Sequence, residues 1–232
     1  ASHAGGSPHL GVNALNAAMV AMSAIHAQRE TYRDKDSIRI HPIITKGGVA
    51  VSSVPADVRM ETYVRGGSIE AFLSASEKVD RALRAGAMTV GGSVTIQTLP
   101  GYLPIQNNET FLDLYQNNAA ELVGQEKISR LPPHVMHGTG STDMGDISQL
   151  MPVIHPYVEA ASGNGHGIDY VINDYELAVV TCAKAMAMTV IDLLADGASN
   201  ASQIISENDS PLTIPSYLSL LRSMTKEETF KE

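Results

Sequence analysis

The residues best suited to chemistry gather in one stretch, Gly138 to Tyr170, which reads GTGSTDMGDISQLMPVIHPYVEAASGNGHGIDY. It sets glycines, short polar residues, acids and two histidines, His155 and His166, around one short apolar segment, Leu150 to Ile154. Polar loops positioned by rigid elements are where binding and catalysis concentrate. Imidazole is a common zinc donor, and a ligating histidine needs an acceptor for its other ring nitrogen. His166 is therefore a candidate metal ligand; a loop histidine satisfied by its neighbours is the other reading. No HExxH and no CxxC is present, so spacing alone defines no full ligand set. The backbone of Gly140, Ser141 and Thr142 can offer N–H groups to an anion, but the Lys and strand–helix setting of a P-loop are missing. Asp143 and Asp146 are either ligands or loop-structuring caps, and short acids in loops favour the caps.

Two residues outside this stretch have similar potential. His3 stands in HAGGSPH ahead of a helical pattern, where an imidazole N–H can stabilise a developing oxyanion or simply tie down local backbone. Arg65 ends an alternating segment beside Gly66 and Gly67. Its forked guanidinium can grip a carboxylate, or it is an exposed charge at a strand end. His26 and His41 read as structural.

The elements that must position these residues follow from periodicity. Gly11 to Arg29 predicts a helix with Ala14, Leu15, Ala18, Met22 and Ile25 in one stripe. Ser37 to Thr45 predicts a strand interrupted at Pro42, and Asp57 to Arg65 alternates as a half-buried strand. Ser68 caps a second helix, with Gly86 read as its stop, and Gly92 to Leu99 alternates again. Helices with one-sided stripes among such strands imply an α+β layer over one sheet face. Pro100, Gly101 and Pro104 mark a boundary. Beyond it, Thr110 to Val123 and Asp174 to Ala195 are helical, the latter with an Asn173/Glu176 capping box, a stripe of Leu177, Val180, Ala183, Ala187, Val190, Ile191 and Leu194, and a stop at Gly197. Leu218 to Met224 adds a short helix, and the charged tail is expected to fray.

Composition narrows the classes. The chain has 232 residues, 44% hydrophobic and 18% charged, with net charge −9 and pI near 5.3. An acidic chain of this kind does not attract nucleic acid or an anionic membrane surface, and no apolar run approaches the ~20 residues that span a bilayer. Cys182 is the only cysteine, so a reducing, cytoplasmic setting is expected. The N-terminus lacks the charged and apolar regions of a secretory signal. A functional cluster at positions three to six with no element before it suggests a fragment.

Several of these segments, in order, resemble the M20 metallopeptidases and amidohydrolases, the group of aminoacylase, carboxypeptidase G2 and the p-aminobenzoyl-glutamate hydrolases. His3-Ala4-Gly5 through Pro8 and Gly11-Val12-Asn13-Ala14-Leu15 is similar to the HA-x-x-P…G-x-N-A-L segment. Ser53-Val54-Pro55 falls at the N-x-I-P turn, Tyr63-Val64-Arg65 matches the strand-end arginine, and Gly140 to Asp146 resembles GSTD(M/F)G(D/N). Val153 to Tyr157 follows that segment as in the family, and His166 falls where the last metal-binding histidine stands.

The resemblance implies an α/β protein. Residues 1–102 would form the α+β lid, a dimerisation domain with helices on one face of an antiparallel sheet and its first strand missing. Residues 103–232 would form the C-terminal part of a metal-dependent hydrolase domain. It implies a divalent metal cofactor, two zinc ions, with His166 as the one ligand in this chain. His3 would reach the neighbouring subunit's site to stabilise the oxyanion, Arg65 would grip the substrate carboxylate, and Gly140, Ser141 and Thr142 would line the pocket. The implied activity is hydrolysis of a small-molecule amide, an N-acyl amino acid or dipeptide, by metal-bound water in a homodimer joined through residues 1–102. The family's HxD motif and Glu-Glu pair are not found in the chain, so it is expected to be inactive alone. Ser52 replaces the asparagine of N-x-I-P. The alternative is a self-associating α+β interaction module with no chemistry of its own.

Overall fold

The structure is a computed structural model that describes residues 1–130 and 141–231. The Leu131 to Gly140 loop read from sequence, with Pro132, Pro133, His134 and His137, lies outside the described residues. The chain divides into two compact units. One is built on Ala1–Pro104 and the chain from Leu218 on, the other on the chain from Ile105 and Ser141–Tyr217.

In the first unit, helix α1 (Ala14–Ala27) starts at Asn13, whose Oδ1 accepts the Leu15 and Asn16 N–H groups at 3.0 and 3.1 Å, satisfying donors that a helix start leaves unpaired. Pro8 belongs to a separate 3₁₀ turn, Pro8–Leu10. Strands β1 (Arg39–Ile40) and β2 (Ile43–Lys46) are one extended segment broken at Pro42, and they pair antiparallel with β4 (Val64–Arg65) and β3 (Arg59–Glu61) respectively. Register is continuous from Arg39↔Arg65 through Ile44↔Met60, then shifts at a bulge before Lys46.

Helix α2 (Ile69–Thr89) is capped by Ser68, which accepts the Ala71 N–H at 3.1 Å. Here the expectation for Gly86 is corrected: it lies inside the helix. A Cβ there would clash with Ala17 O and stand 2.8 Å from Ala21 Cβ. The glycine is a contact point where α1 and α2 approach closely. The deepest residues of the pair are correspondingly small, with Ala21, Ala75 and Ala82 each no more than 2% exposed. Ile25, Val79 and Ala82 form the core against which Ile40 and Val64 of the ribbon pack, so the helices cover one face of the antiparallel strands and the fold is mixed α/β.

The C-terminal tail also departs from expectation. It does not fray: β8 (Lys226–Lys231) pairs antiparallel with β5 (Ser93–Thr98) along six residues. Charge fixes it in place. Lys226 Nζ lies 2.7 Å from the carboxylate of Asp80, which is 4% exposed in α2, and Arg84 reaches Glu228 at 2.7 Å. A buried carboxylate is stable only when paired, and Lys226 at the start of the tail strand supplies the partner.

In the second unit, α3 (Glu109–Val123), capped by Asn108, packs against α5 (Cys182–Glu207), which is preceded by a wider π-helical turn, Glu176–Thr181. Buried Asn118 bridges them, donating to Asp192 Oδ2 at 2.7 Å and Thr189 Oγ1 at 3.3 Å. Asp174, rather than Asn173, accepts the first-turn N–H, from Leu177 at 2.8 Å. Gly197 marks a break as expected, with left-handed backbone from Asp196 to Ala198, and a second helical segment follows. The predicted stripe on α5 is not the packed one. Val190, Ile191 and Leu194 are exposed, whereas Ala185 and Thr189 are buried. The run Glu176–Glu207, broken at Asp196–Ala198, has a mean hydropathy of 1.8 in its most apolar window and passes a test of length and composition for a membrane span.

Candidate functional site

The His3 side chain is positioned by its own loop. Gly5 and Gly6 donate their backbone N–H groups to His3 Nδ1 at 3.2 and 2.9 Å. An imidazole nitrogen that accepts is unprotonated, so these bonds assign the neutral ring to the Nε2–H tautomer. The ring is exposed and presents one N–H donor outward. The loop is in turn laced to the Ser52–Pro55 turn. His3 bridges to Ser53, the Ala4 N–H reaches Ser52 O at 2.8 Å, and the Val54 N–H reaches Ser2 O at 2.9 Å. Pro55 O accepts the Ala14 N–H at 2.9 Å at the start of α1. Gly11 lets this happen, because a Cβ there would clash with Ser2 Oγ and stand 3.2 Å from Val54 Cβ. Two neighbouring segments, Ser2 to Gly6 and Gly11 to Ala14, thus meet the distant Ser52–Pro55 turn around His3, and Asn13 and Gly11 have local structural jobs.

Arg65 is exposed at the end of β4, its guanidinium carbon 5.5 Å from the centre of the Tyr63 ring, a cation–π distance. Among the described residues it has no ion pair, and no hydrogen bond joins it to the His3 loop.

Gly140 lies outside the described residues. In the second unit Ser141 is exposed, and Thr142 lies two residues before a short helix, α4 (Met144–Ser148). Thr142 O accepts the Gly145 N–H at 3.0 Å, and its hydroxyl donates to Asp143 Oδ1 at 3.1 Å. Asp146 Oδ1 accepts the Tyr217 hydroxyl at 3.0 Å, and the Tyr217 phenol is raised above its ordinary value, by burial first and then by that bond and the carboxylate's charge. Sequence reasoning missed Tyr217, and also Ser148, whose hydroxyl accepts the Gln106 N–H at 3.0 Å while donating to Gly145 O at 2.6 Å. Neither has a motif signal beyond its place beside the GSTDMGD segment.

His166 sits in the turn of a hairpin between β6 (Ala161–Ser162) and β7 (Val171–Ile172). The Gly167 N–H closes the turn on Asn164 O at 2.8 Å. His166 has φ +66°, at the turn position that normally takes Gly or Asn, and it is exposed. Its ring makes no hydrogen bond among the described residues. His155 instead makes an edge contact with Tyr157, ring centres 5.0 Å apart.

The described residues do not by themselves make a metal centre. No three His, Cys, Asp or Glu side chains gather among them as a site would require, and His166 offers a single donor. The cavities lie elsewhere too. One of about 230 Å³ lies beside Tyr32, Asp36, Glu70 and Lys78, where the Tyr32 phenol is raised by burial and Lys78 Nζ stands 4.5 Å from its ring centre. None of the expected site residues lines it.

Residues 1–88, which carry His3, the Ser52–Pro55 turn and Arg65, match the peptidase dimerisation domain of M20 peptidases. Over 201 residues the chain is 33% identical to the Xaa-Arg dipeptidase of Mus musculus and 31% identical to that of Homo sapiens. These alignments cover 84% of this chain but only 46% and 45% of the relatives. Its first 88 residues thus share the M20 peptidase dimerisation domain, and the chain spans about half the length of the curated relatives it matches.

Proposed function

We propose that this chain is the lid and the C-terminal catalytic part of a metal-dependent dipeptidase that acts as a homodimer. The observation that carries the reading is His3: two backbone N–H groups occupy Nδ1, so Nε2 is left as a fixed, outward donor. Such a donor stabilises a developing oxyanion without reorganising. Arg65 grips the substrate carboxylate, and Gly140, Ser141 and Thr142 line the pocket. The substrate class is a dipeptide with a C-terminal basic residue, supported by the identity to the Xaa-Arg dipeptidases. The metal, two zinc ions by family resemblance, takes one donor from this chain, His166. The remaining donors and the base come from outside these 232 residues, so the chain alone is inactive. A cytoplasmic setting fits the single cysteine, Cys182.

The test uses the native polypeptide that carries these residues, assayed on Xaa-Arg dipeptides. His166→Ala is expected to abolish hydrolysis and reduce bound metal, and His3→Ala to lower kcat by about 10²–10³-fold, the loss typical of one oxyanion donor. Mixing the two inactive variants decides whether His3 acts across the dimer. In the mixed dimer one site keeps His166 and receives the partner copy's intact His3, so activity returns. If mixing restores nothing, His3 acts within its own subunit or not at all. If His166→Ala keeps its metal and its activity, the assignment of His166 as a ligand is wrong.

A further inference from the structure

Arg39 lies directly opposite Arg65 in the antiparallel register of β1 and β4. Directly paired positions put both side chains on the same face of the ribbon, with Cα atoms about 4.5–5.5 Å apart. That face points away from the helices: Arg39, His41, Tyr63 and Arg65 are exposed, while Ile40 and Val64 between them pack on the core. Like charges placed opposite one another destabilise a strand pair, and nothing in the ribbon relieves these two. Arg39 has only a bond to the backbone, Nη1 to Ile38 O at 3.0 Å, and Arg65 only the Tyr63 ring. Lower down the same ribbon, by contrast, Lys46 and Arg59 share the carboxylate of Asp57. The nearest acid on the face itself is Glu61, opposite Ile43, four residues along the strand from Arg65 and so about 13 Å away at ~3.3 Å per residue. A net-acidic chain thus sets two arginines at directly paired positions with no counter-ion among the described residues.

We propose that Arg39 and Arg65 form a two-guanidinium clamp for one carboxylate, the C-terminal carboxylate of the substrate. This rests on the reading of Arg65 as the carboxylate grip and adds Arg39 as a second binding residue. Each guanidinium is a fork that suits a carboxylate in two-pronged contact, and two forks on adjacent strands approach one anion from both sides. The Tyr63 ring holds Arg65 in place, and the Ile38 carbonyl holds Arg39. Bound carboxylate then cancels the repulsion that the free ribbon carries.

The probe is N-acetylglycine, with N-acetylglycinamide as its uncharged counterpart, titrated against the 232-residue chain with melting temperature as readout. The acid is expected to raise Tm and the amide not to. Arg39→Gln is expected to raise the ligand-free Tm and to weaken the apparent Kd for the acid at least tenfold. Arg39→Lys, which keeps the charge and loses the fork, should recover only part of that affinity. Arg29→Gln removes an exposed arginine elsewhere and should change neither quantity. If Arg65→Gln weakens binding while Arg39→Gln leaves Kd within twofold, the clamp is overturned and the single-arginine grip stands. If wild type responds equally to acid and amide, or to neither, the clamp and the grip fall together.

Discussion

Helices α1 and α2 in the first unit and helix α5 in the second each carry an apolar stripe in sequence, yet the stripes end in opposite states. The first pair closes on itself. Ala21, Ala75, Ala82 and Gly86 are small enough for the helix backbones to approach, and Ile25 and Val79 are shut in between the helices and the strand ribbon. On α5 the large side chains Met186, Val190, Ile191 and Leu194 are each more than half exposed, and the packed face is Ala185, Thr189 and the Asn118–Asp192 bond. Periodicity reports that a helix has an apolar face; it does not report what lies against that face. The first unit finds its cover within the chain, and α5 leaves an apolar face without cover among the described residues, in a chain that spans about half of its relatives' length.

Equal truncations in the two places measure this difference directly, and they carry the largest expected effect. Ile25→Ala removes a side chain that is 3% exposed and should cost about 2–5 kcal/mol, as for buried aliphatic residues cut to alanine. Ile191→Ala removes one that is 65% exposed and should change stability by less than about 0.5 kcal/mol. Urea unfolding of the two variants in parallel reads both. If Ile191→Ala costs as much as Ile25→Ala, the exposed face of α5 is covered in solution, and the contrast between the units disappears.

How much of the molecule was legible in its sequence follows the same line. Caps and alternation could be read because their signals are local: Ser68, the Pro42 break and the half-buried strand at Arg59 to Arg65 all lie where periodicity puts them. Gly86 was misread because a glycine near a helix end looks like a stop, and only the close approach of α1, which a Cβ at position 86 would meet at Ala21, makes it a contact. The tail was misread because KEETFK is charged, and its strand exists through partners 128 or more residues away, β5, Asp80 and Arg84. At the site, the types of His3, Arg65 and His166 were visible, but their settings were not. That Nδ1 of His3 is occupied, that Arg39 faces Arg65 and that His166 carries a left-handed backbone are relations in space, and no spacing in the chain encodes them.

A smaller effect sharpens the comparison from the second unit's side. Tyr217 holds the GSTDMGD segment to the start of the last helix, α6 (Ile214–Met224), through Asp146. Tyr217→Phe should cost about 1 kcal/mol at neutral pH, the net worth of one hydrogen bond. The pH dependence has a definite sign. The folded phenol sits above its unfolded value, raised by burial and then by Asp146. Its contribution is therefore complete below pH ~10, the ordinary tyrosine value, and is lost as pH rises through the folded value. The gap between wild type and Tyr217→Phe should accordingly narrow above pH 10. A gap that stays constant to pH 11.5 would mean that the lost contact is packing and not the proton-sensitive bond.

The smallest single change, His166→Gly, concerns a strained residue with no local reason for its strain. In the first unit Ser37 also has positive φ, +47°, but it ends a 3₁₀ turn and its N–H is bonded to Asp34 O at 3.1 Å, so the conformation closes a turn. His166 in the second unit has φ +66°, and its side chain contributes nothing to the turn that holds it. A left-handed backbone costs an L residue about 1–2 kcal/mol, offset in glycine by a chain-entropy loss of roughly 0.5–1 kcal/mol. His166→Gly should therefore raise stability by about 0.5 kcal/mol, and His166→Val, whose branched Cβ tolerates that region poorly, should lower it by about 1–2 kcal/mol. Thermal unfolding of the three proteins tests the order Gly above His above Val. That order would mean the fold keeps a histidine where glycine is more stable, which favours a role for the ring outside the turn. If wild type is instead the most stable of the three, His166 stabilises its own turn, and the strain no longer speaks for a metal ligand.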